Sequence, residues 1–279
     1  VDKINQKNKY FENIKNLGLE YKKGKFDNEK FNEFSTFINK NVPRHLKNHQ
    51  LKAAYHLYLL ENGANFSVPG SGKTSTVLAT YAKLKAEGKV NLLFVVGPPA
   101  CFWPWKSEFS QTLNYEPVYR ILAGGDQIQR KNEYFSFDNK AELYLTTYQS
   151  VVKDQNEIIT FFKQKGLNVY LVIDEAHYIK QIGGIWASAV LNISKYAKYR
   201  CILTGTPFPK SYTDAFNLFD FLWPYNNPIN QDSKARIDLQ EKSGDMVSAK
   251  ELLKQNISPF FFRVRKSDLG LMPPIFHPP

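Results

Sequence analysis

The sequence predicts an α/β fold, a doubly wound three-layer sandwich on a largely parallel central sheet, with a small helical flank at the N-terminus. Three observations predict it. Short, near-continuous apolar runs such as Leu92-Leu93-Phe94-Val95-Val96 and Val169-Tyr170-Leu171-Val172-Ile173 have the pattern of strands buried on both faces, which belong to parallel sheets. Longer helical stretches separate these runs, giving a βαβ alternation. The 279 residues, 43% hydrophobic and 15% aromatic, can also bury a sizeable core.

In chain order, the first 50 residues carry eleven Lys and Arg against six Asp and Glu and are rich in Asn. Phe11, Ile14, Leu17 and Leu19, then Phe31, Phe34, Phe37 and Ile38, have roughly helical spacing. One or two amphipathic helices are expected there, either packed on the main domain with a solvated lysine face or touching a polyanion. Strands are expected at Ala64–Val68, Asn91–Val96, Pro117–Leu122, Glu142–Tyr148, Val169–Ile173 and Arg200–Leu203. Helices are expected at Thr74–Glu87, Trp103–Thr112, Asp154–Lys165, Trp186–Lys195 and Thr213–Leu222. After Trp223-Pro224 a polar stretch runs to about Gly244, followed by a helix around Ser248–Gln255 and an aromatic-basic segment at Phe260–Lys266. Phe260–Phe262 reads as core rather than as a base-stacking platform, because nothing alternates it with charge on one face. The division expected is a basic helical flank over 1–44, the main lobe over 45–225 and an extension over 226–279.

With 37 Lys and Arg against 26 Asp and Glu, the net charge of +11 favours a polyanionic partner, nucleic acid first. Cys101 and Cys201 lie far apart and outside any Cys-x-x-Cys, which argues against a disulfide framework or a structural zinc and fits a reducing cytoplasm. The first ten residues are polar where a secretory signal needs an apolar core, and no run approaches the roughly 18 apolar residues of a membrane span. No membrane partner is expected. A chain that begins at Val1 is compatible with a piece of a larger protein.

The sharpest local signal is Ser67-Val68-Pro69-Gly70-Ser71-Gly72-Lys73-Thr74, which follows a strand and opens a helix. Gly70 and Gly72 let the backbone turn tightly and aim N–H groups, with that of Ser71, at phosphate oxygens, and the helix adds its positive end. Lys73 would reach the β- and γ-phosphates of a nucleotide and the Thr74 hydroxyl would bind Mg²⁺. Ser67 stands where the usual pattern has its first glycine, and the competing reading is a Gly-Ser linker before a helix. One hundred residues on, Asp174 and Glu175 end a buried strand, on the sheet edge where ligands bind. Asp174 would hold Mg²⁺ and Glu175 would orient and deprotonate an attacking water; an ordinary helix cap is the alternative.

The order of the motifs resembles a superfamily 2 nucleic-acid motor, and more narrowly the first RecA-like lobe of the Swi2/Snf2 family, over about residues 45 to 275. Leu46-Lys47-Asn48-His49-Gln50 looks like the adenine-recognising Q segment, and Gly70 to Thr74 like motif I. Val96-Gly97-Pro98-Pro99-Ala100 with Trp105-Lys106-Ser107-Glu108-Phe109 is similar to motif Ia and its helix. Thr146-Thr147-Tyr148 is similar to motif Ib, Asp174-Glu175-Ala176-His177 to motif II, and Leu203-Thr204-Gly205-Thr206-Pro207 to motif III. Pro259 to Lys266 with Pro273-Pro274 resembles the stretch that leaves the lobe.

The resemblance implies a RecA-like P-loop lobe that binds ATP and Mg²⁺, contacts double-stranded DNA and works against a second RecA-like lobe. Lys73, Asp174 and Glu175 would be its catalytic residues, and Gln50 would present donor and acceptor to adenine. Pro98, Pro99, Ala100, Thr146 and Thr147 would approach a DNA backbone, with plain turn and cap chemistry as the alternative. His177, Thr204, Gly205 and Thr206 would couple nucleotide state to nucleic acid. Ser-Val-Pro-Gly-Ser before Gly72 and Gly97-Pro98-Pro99-Ala100 depart from the chromatin-remodelling pattern. The Asn- and Lys-rich composition suits a distant microbial relative better, cytoplasmic and nucleoid-associated when bound to DNA, with a restriction or phage-defence motor as one reading. A strand-separating helicase and a vestigial nucleotide-binding scaffold remain the other two readings.

Overall fold

The computed structural model describes residues 2–136, 141–180, 182–208 and 211–270. Two flanking helices, α1 (Asp2–Lys22) and α2 (Asn28–Asn41), precede α3 (Asn48–Leu60) and the first strand, β1 (Asn62–Asn65). Then follow α4 (Lys73–Ala86), β2 (Leu92–Val96), α5 (Phe102–Leu113), β3 (Tyr119–Leu122), α6 (Gln127–Phe135) and β4 (Leu143–Thr146). Two helices, α7 (Tyr148–Lys153) and α8 (Gln155–Phe162), lead to β5 (Val169–Asp174), α9 (Ile185–Ser194) and β6 (Tyr199–Leu203). The remainder is α10 (Ala215–Leu222), α11 (Gln231–Lys242), α12 (Met246–Ile257) and β7 (Phe261–Phe262).

Among the described residues all seven strands are parallel, in the order β3-β4-β2-β5-β6-β1-β7. Alternate side chains of one strand feed opposite cores, as a pleated strand requires. Leu92, Phe94 and Val96 of β2 join α7, α8, α9 and α10 on one face, whereas Leu93 and Val95 join α2, α3, α4 and α5 on the other. That division is the doubly wound sandwich. Every residue of β2 and five of the six in β5 are buried, so the apolar runs in the sequence mark the middle of the sheet.

The flanking helices belong to the same cores. Phe11 of α1 stacks on Phe260 with centroids 5.0 to 5.4 Å from Trp223 and Phe260, and Phe34 and Ile38 of α2 are buried against α3 and α4. At Gly18 any Cβ would lie 2.6 Å from the Pro259 carbonyl oxygen, so α1 crosses that turn only because the residue is glycine.

The structure corrects the expected elements in five places. The first strand lies at Asn62–Asn65, because Phe66 and Val68 turn their N–H groups away from β6 toward Phe262 and Val264. The strand expected to reach Tyr148 stops at Thr146, where Thr147 caps α7. Helices α6 and α11 occupy stretches read as connections. Each is mostly polar and is started by a side-chain cap, Asp126 or Asn230, and each buries only two residues. Phe261 and Phe262 form a seventh strand that pairs with the end of β1. Pro273 and Pro274 lie outside the described residues.

Candidate functional site

The C-terminal ends of β1, β2, β5 and β6 meet at one edge of the sheet, where a doubly wound fold places its ligands. Beyond β1 the chain bends through a loop whose Gly70 and Gly72 have φ of 78° and 81°, a left-handed backbone that glycine adopts without strain. Gly72 is the N-cap of α4, so the unpaired N–H groups of that helix's first turn face the loop. Lys73 Nζ donates to the carbonyls of Ser67 at 3.1 Å and Val68 at 3.5 Å. Burial lowers the Lys73 pKa, and the nearby Glu175 and Asp174 carboxylates oppose that shift. Ser71 is buried, and its hydroxyl has no hydrogen-bond partner among the described residues.

Gln50 lies directly on this loop. Its Oε1 accepts from the Lys47 N–H at 2.9 Å, completing the first turn of α3, while Nε2 donates to the Ser71 carbonyl at 3.2 Å. A Cβ at Gly72 would stand 1.9 Å from Gln50 Nε2. The two residues are therefore in mutual contact. Ser75, one residue past Thr74, donates from Oγ to Glu108 Oε2 at 2.7 Å, the oxygen that Arg44 also holds at 2.7 Å.

Asp174 ends β5 and is gripped on three sides. Trp105 Nε1 donates to its Oδ2 at 2.9 Å, the Glu175 N–H donates to its Oδ1 at 2.9 Å, and the Tyr148 hydroxyl donates to its backbone carbonyl at 2.6 Å. Burial raises its pKa; the Trp105 bond and Lys73 pull the other way, and the Glu175 charge adds to the rise. Glu175 is one of three described non-glycine residues with positive φ and, with Asn114, one of two in the left-handed helical region, at φ 52° and ψ 48°. Strain of that kind persists only where surrounding structure enforces it, and here Asp174 and Tyr148 do so. His177 Nδ1 lies 3.2 Å from Glu175 Oε2 but off hydrogen-bond alignment, and its ring stacks on Tyr178 at 4.6 Å.

Gln50, Gly70, Gly72, Lys73, Thr74, Asp174 and Glu175 thus line one open cleft of about 620 Å³, with Pro98 and Ala100 on its rim. Beside it, Gly205 approaches the loop after β1 so closely that a Cβ there would be 3.0 Å from Pro69 Cδ. Thr204 is fully buried with its Oγ1 accepting from the Thr206 N–H at 3.2 Å, and Thr206 is exposed. Pro99 and Ala100 are exposed in a short turn that runs into α5.

Thr146 and Thr147 stand differently from the sequence expectation. Thr146 is fully buried and donates to the Leu122 carbonyl at 2.7 Å; Thr147 Oγ1 accepts from the Ser150 N–H at 3.1 Å and caps α7. Both hydroxyls do the turn and cap work that was the alternative reading. Sequence reasoning missed Trp105, Tyr148 and Glu108 as the groups that hold the site. Beyond their place in the stretches resembling motifs Ia and Ib, Trp105 and Tyr148 offered only a polar tip on a side chain otherwise suited to a core, and Glu108 offered nothing that distinguishes it from a surface acid.

The SNF2-related domain family matches residues 49–275. The chain is similar to a rat protein described as a SWI/SNF-related matrix-associated actin-dependent regulator of chromatin, subfamily A containing DEAD/H box 1. Identity is 30% over 226 residues, 76% of this chain and 21% of that protein. The ATP-dependent helicase fft2 of Schizosaccharomyces pombe is 29% identical over 263 residues, 87% of this chain and 20% of its own length. The chain therefore spans about a fifth of the length of these two relatives. Among solved structures, the Sulfolobus solfataricus SWI2/SNF2 ATPase core in complex with dsDNA superposes with a TM-score of 0.67 at 25% identity, covering 83% of this chain and 47% of that one.

Proposed function

The chain belongs to the SNF2-related domain family, and from that premise we propose that it is the ATP-binding lobe of an ATP-driven translocase on double-stranded DNA. One observation carries the reading: Lys73, Thr74, Asp174 and Glu175, separated by a hundred residues of sequence, line a single cleft at the ligand-binding edge of the sheet. In that cleft the first-turn N–H groups of α4 and Lys73 bind the phosphates of ATP. Lys73 now bonded to Ser67 and Val68 exchanges two neutral carbonyls for charged oxygens, a stronger pairing.

Mg²⁺ suits the donors present, a carboxylate and a hydroxyl, which are hard oxygen ligands of the kind it takes alongside substrate phosphates. Asp174 and Thr74 would hold it, and it supplies charge neutralisation at the β- and γ-phosphates. Glu175 positions the attacking water and takes its proton, and the αL backbone aims its carboxylate into the cleft beside Lys73. Gln50, in contact with Gly72, sits where the base of a nucleotide in the loop would pass; its amide has one donor and one acceptor site left for adenine. Thr204–Thr206, against Pro69, report loss of the γ-phosphate, and His177 beside Glu175 passes that change outward.

Duplex DNA is the proposed nucleic acid, in keeping with the dsDNA held by the Sulfolobus ATPase core and with a surplus of eleven positive charges. Contact runs through the exposed turn at Pro98, Pro99 and Ala100 and the backbone after Thr146 and Thr147, without base reading. A second RecA-like lobe completes the ATP site by supplying arginine, which in related hydrolases contributes about 10³ to 10⁵ in rate. We infer a microbial, cytoplasmic setting, a reading that the Asn- and Lys-rich composition and the two free, buried cysteines support; no described helix is long and apolar enough to cross a membrane.

The test is hydrolysis. This chain alone is expected to bind Mg-ATP weakly and turn it over slowly, and Glu175→Gln in a two-lobed protein is expected to leave nucleotide binding intact while stopping turnover. Full ATPase in Glu175→Gln would remove Glu175 from the role of base.

A further inference from the structure

Asp174 is held from outside its own strand. Trp105, fully buried in α5, donates its indole N–H to Asp174 Oδ2 at 2.9 Å, and the Glu175 N–H occupies Oδ1. A carboxylate has about four lone-pair sites, so two hydrogen bonds fix its rotation and still leave oxygen lone pairs for a cation. The orientation of those lone pairs toward Thr74 and Lys73 therefore depends on where α5 sits.

The start of α5 is a structure with two faces. The turn Pro99–Cys101 runs without a break into the helix at Phe102. Pro99, Ala100 and Trp103 are exposed, Trp103 at 72%, whereas Cys101, Phe102 and Trp105 are buried. The inner face is tightly packed: a Cβ on Gly97 would lie 2.7 Å from Cys101 Sγ and 3.3 Å from Asp174 Cβ. Close-packed interiors transmit a displacement rather than absorb it. Displacement of the outer face at Pro99 and Ala100 would therefore shift α5, and Trp105 would carry that shift to Asp174.

We propose that Trp105 is a positioning residue that couples nucleic-acid contact at the Pro99–Ala100 turn to the metal-binding carboxylate, through the single hydrogen bond from its indole to Asp174. The inference rests on the reading of that turn as a DNA contact and of Asp174 as a Mg²⁺ ligand. It adds a route by which DNA regulates the ATP site. Such coupling is reciprocal, so it appears in binding as well as in rate.

The experiment measures the affinity of this chain for a fluorescent 30-base-pair duplex, with and without saturating Mg²⁺ and a non-hydrolysable ATP analogue. It is repeated for Trp105→Phe and for protein in which Trp105 alone is replaced by its benzothiophene analogue, which keeps the shape and lacks the N–H. Phe109→Leu, buried in the same helix and away from Asp174, controls for loosened packing. The native chain is expected to show a coupling factor of about five or more between the two ligands. Phe109→Leu should keep it, and the benzothiophene protein should fall to about one while binding each ligand alone as tightly as the native chain. If Trp105→Phe does not fold, the benzothiophene protein still decides. A native coupling factor of one, or native coupling retained without the N–H, overturns the proposal. Failure of the native chain to bind duplex at all overturns instead the reading of the turn on which it rests.

Discussion

Gly72 meets two demands at once. Its φ of 81° is costly for any L-residue, by about 1–2 kcal/mol, and the position of its missing Cβ is already filled by the Gln50 amide. Gly72→Ala should therefore lose stability from two separable causes, strain and clash. Gln50→Ala removes the clash, together with the Gln50 bonds to Lys47 and Ser71. In thermal melts Gly72→Ala is therefore expected to cost less in the Gln50→Ala background than in the native chain, leaving the backbone cost. If the two changes were simply additive, the contact between Gln50 and the phosphate loop would not be real. This scale also shows what sequence could reveal. Lys73, Asp174 and Glu175 drew attention in the sequence because phosphate and metal chemistry would demand those residue types beside a strand and a helix start, and the fold brings the three into one cleft. Trp105 and Tyr148 drew none as holding groups, since an indole or phenol in an apolar pattern gives no sign of where its single polar atom points.

Among the elements, α3 is tied to the turn before β7 through His56, which is fully buried with Nε2 3.0 Å from the Pro259 carbonyl. Burial holds its pKa down to about 3, helped by the charge of Lys22 and opposed by the Pro259 contact. The folded chain thus keeps the ring neutral where the unfolded chain, at about 6.5, takes up a proton. Above pH 6.5 the group has no effect; between about 6.5 and 3 the unfolded state binds the extra proton and stability falls as pH falls, by up to about 1.4 kcal/mol per unit. His56→Gln is expected to flatten the fall in melting temperature between pH 6 and pH 4. An unchanged slope would mean that His56 does not stay neutral.

The elements differ in how clearly the sequence announced them. Strands β2 and β5 have apolar side chains on both faces and stood out. Helices α6 and α11 bury two residues each, so their periodicity is weak and their existence depends on caps at Asp126 and Asn230. Arg130 adds to α6 what its sequence lacks: a buried, bidentate pair with Asp154, Nε to Oδ2 at 2.6 Å and Nη2 to Oδ1 at 2.9 Å. Strand β7 is two residues long and exists only because β1 offers it an edge.

At the scale of the whole molecule, charge and packing bear on the DNA partner. Binding that neutralises phosphates releases counterions, and about three to five backbone contacts give a log-log salt slope of about −2.7 to −4.5. Two duplexes of equal length and unrelated sequence should show the same slope and the same affinity. A slope near zero, or a strong preference for one sequence, would count against backbone tracking. The flank can be examined in the same assay, but not by deleting it, since Phe11, Ile14, Phe34 and Ile38 fill the cores. Neutralising the exposed Lys9 and Lys40 as Gln leaves the packing alone. It should flatten the slope by about 0.9 for each lysine that touches a phosphate, and by nothing if the flank only packs.

The central claim is that one cleft, built from the phosphate loop and the Asp174–Glu175 strand end, binds Mg-ATP. Calorimetric titration of this chain with the non-hydrolysable ATP analogue, in Mg²⁺, beside the Lys73→Ala variant, tests it most directly. A lost hydrogen bond between charged partners is worth about 1.5–3 kcal/mol, so the variant is expected to bind at least about tenfold more weakly while melting at a similar temperature. Equal affinity in the two proteins would show that ATP does not sit on this loop, and the assignment of the cleft would fall with it.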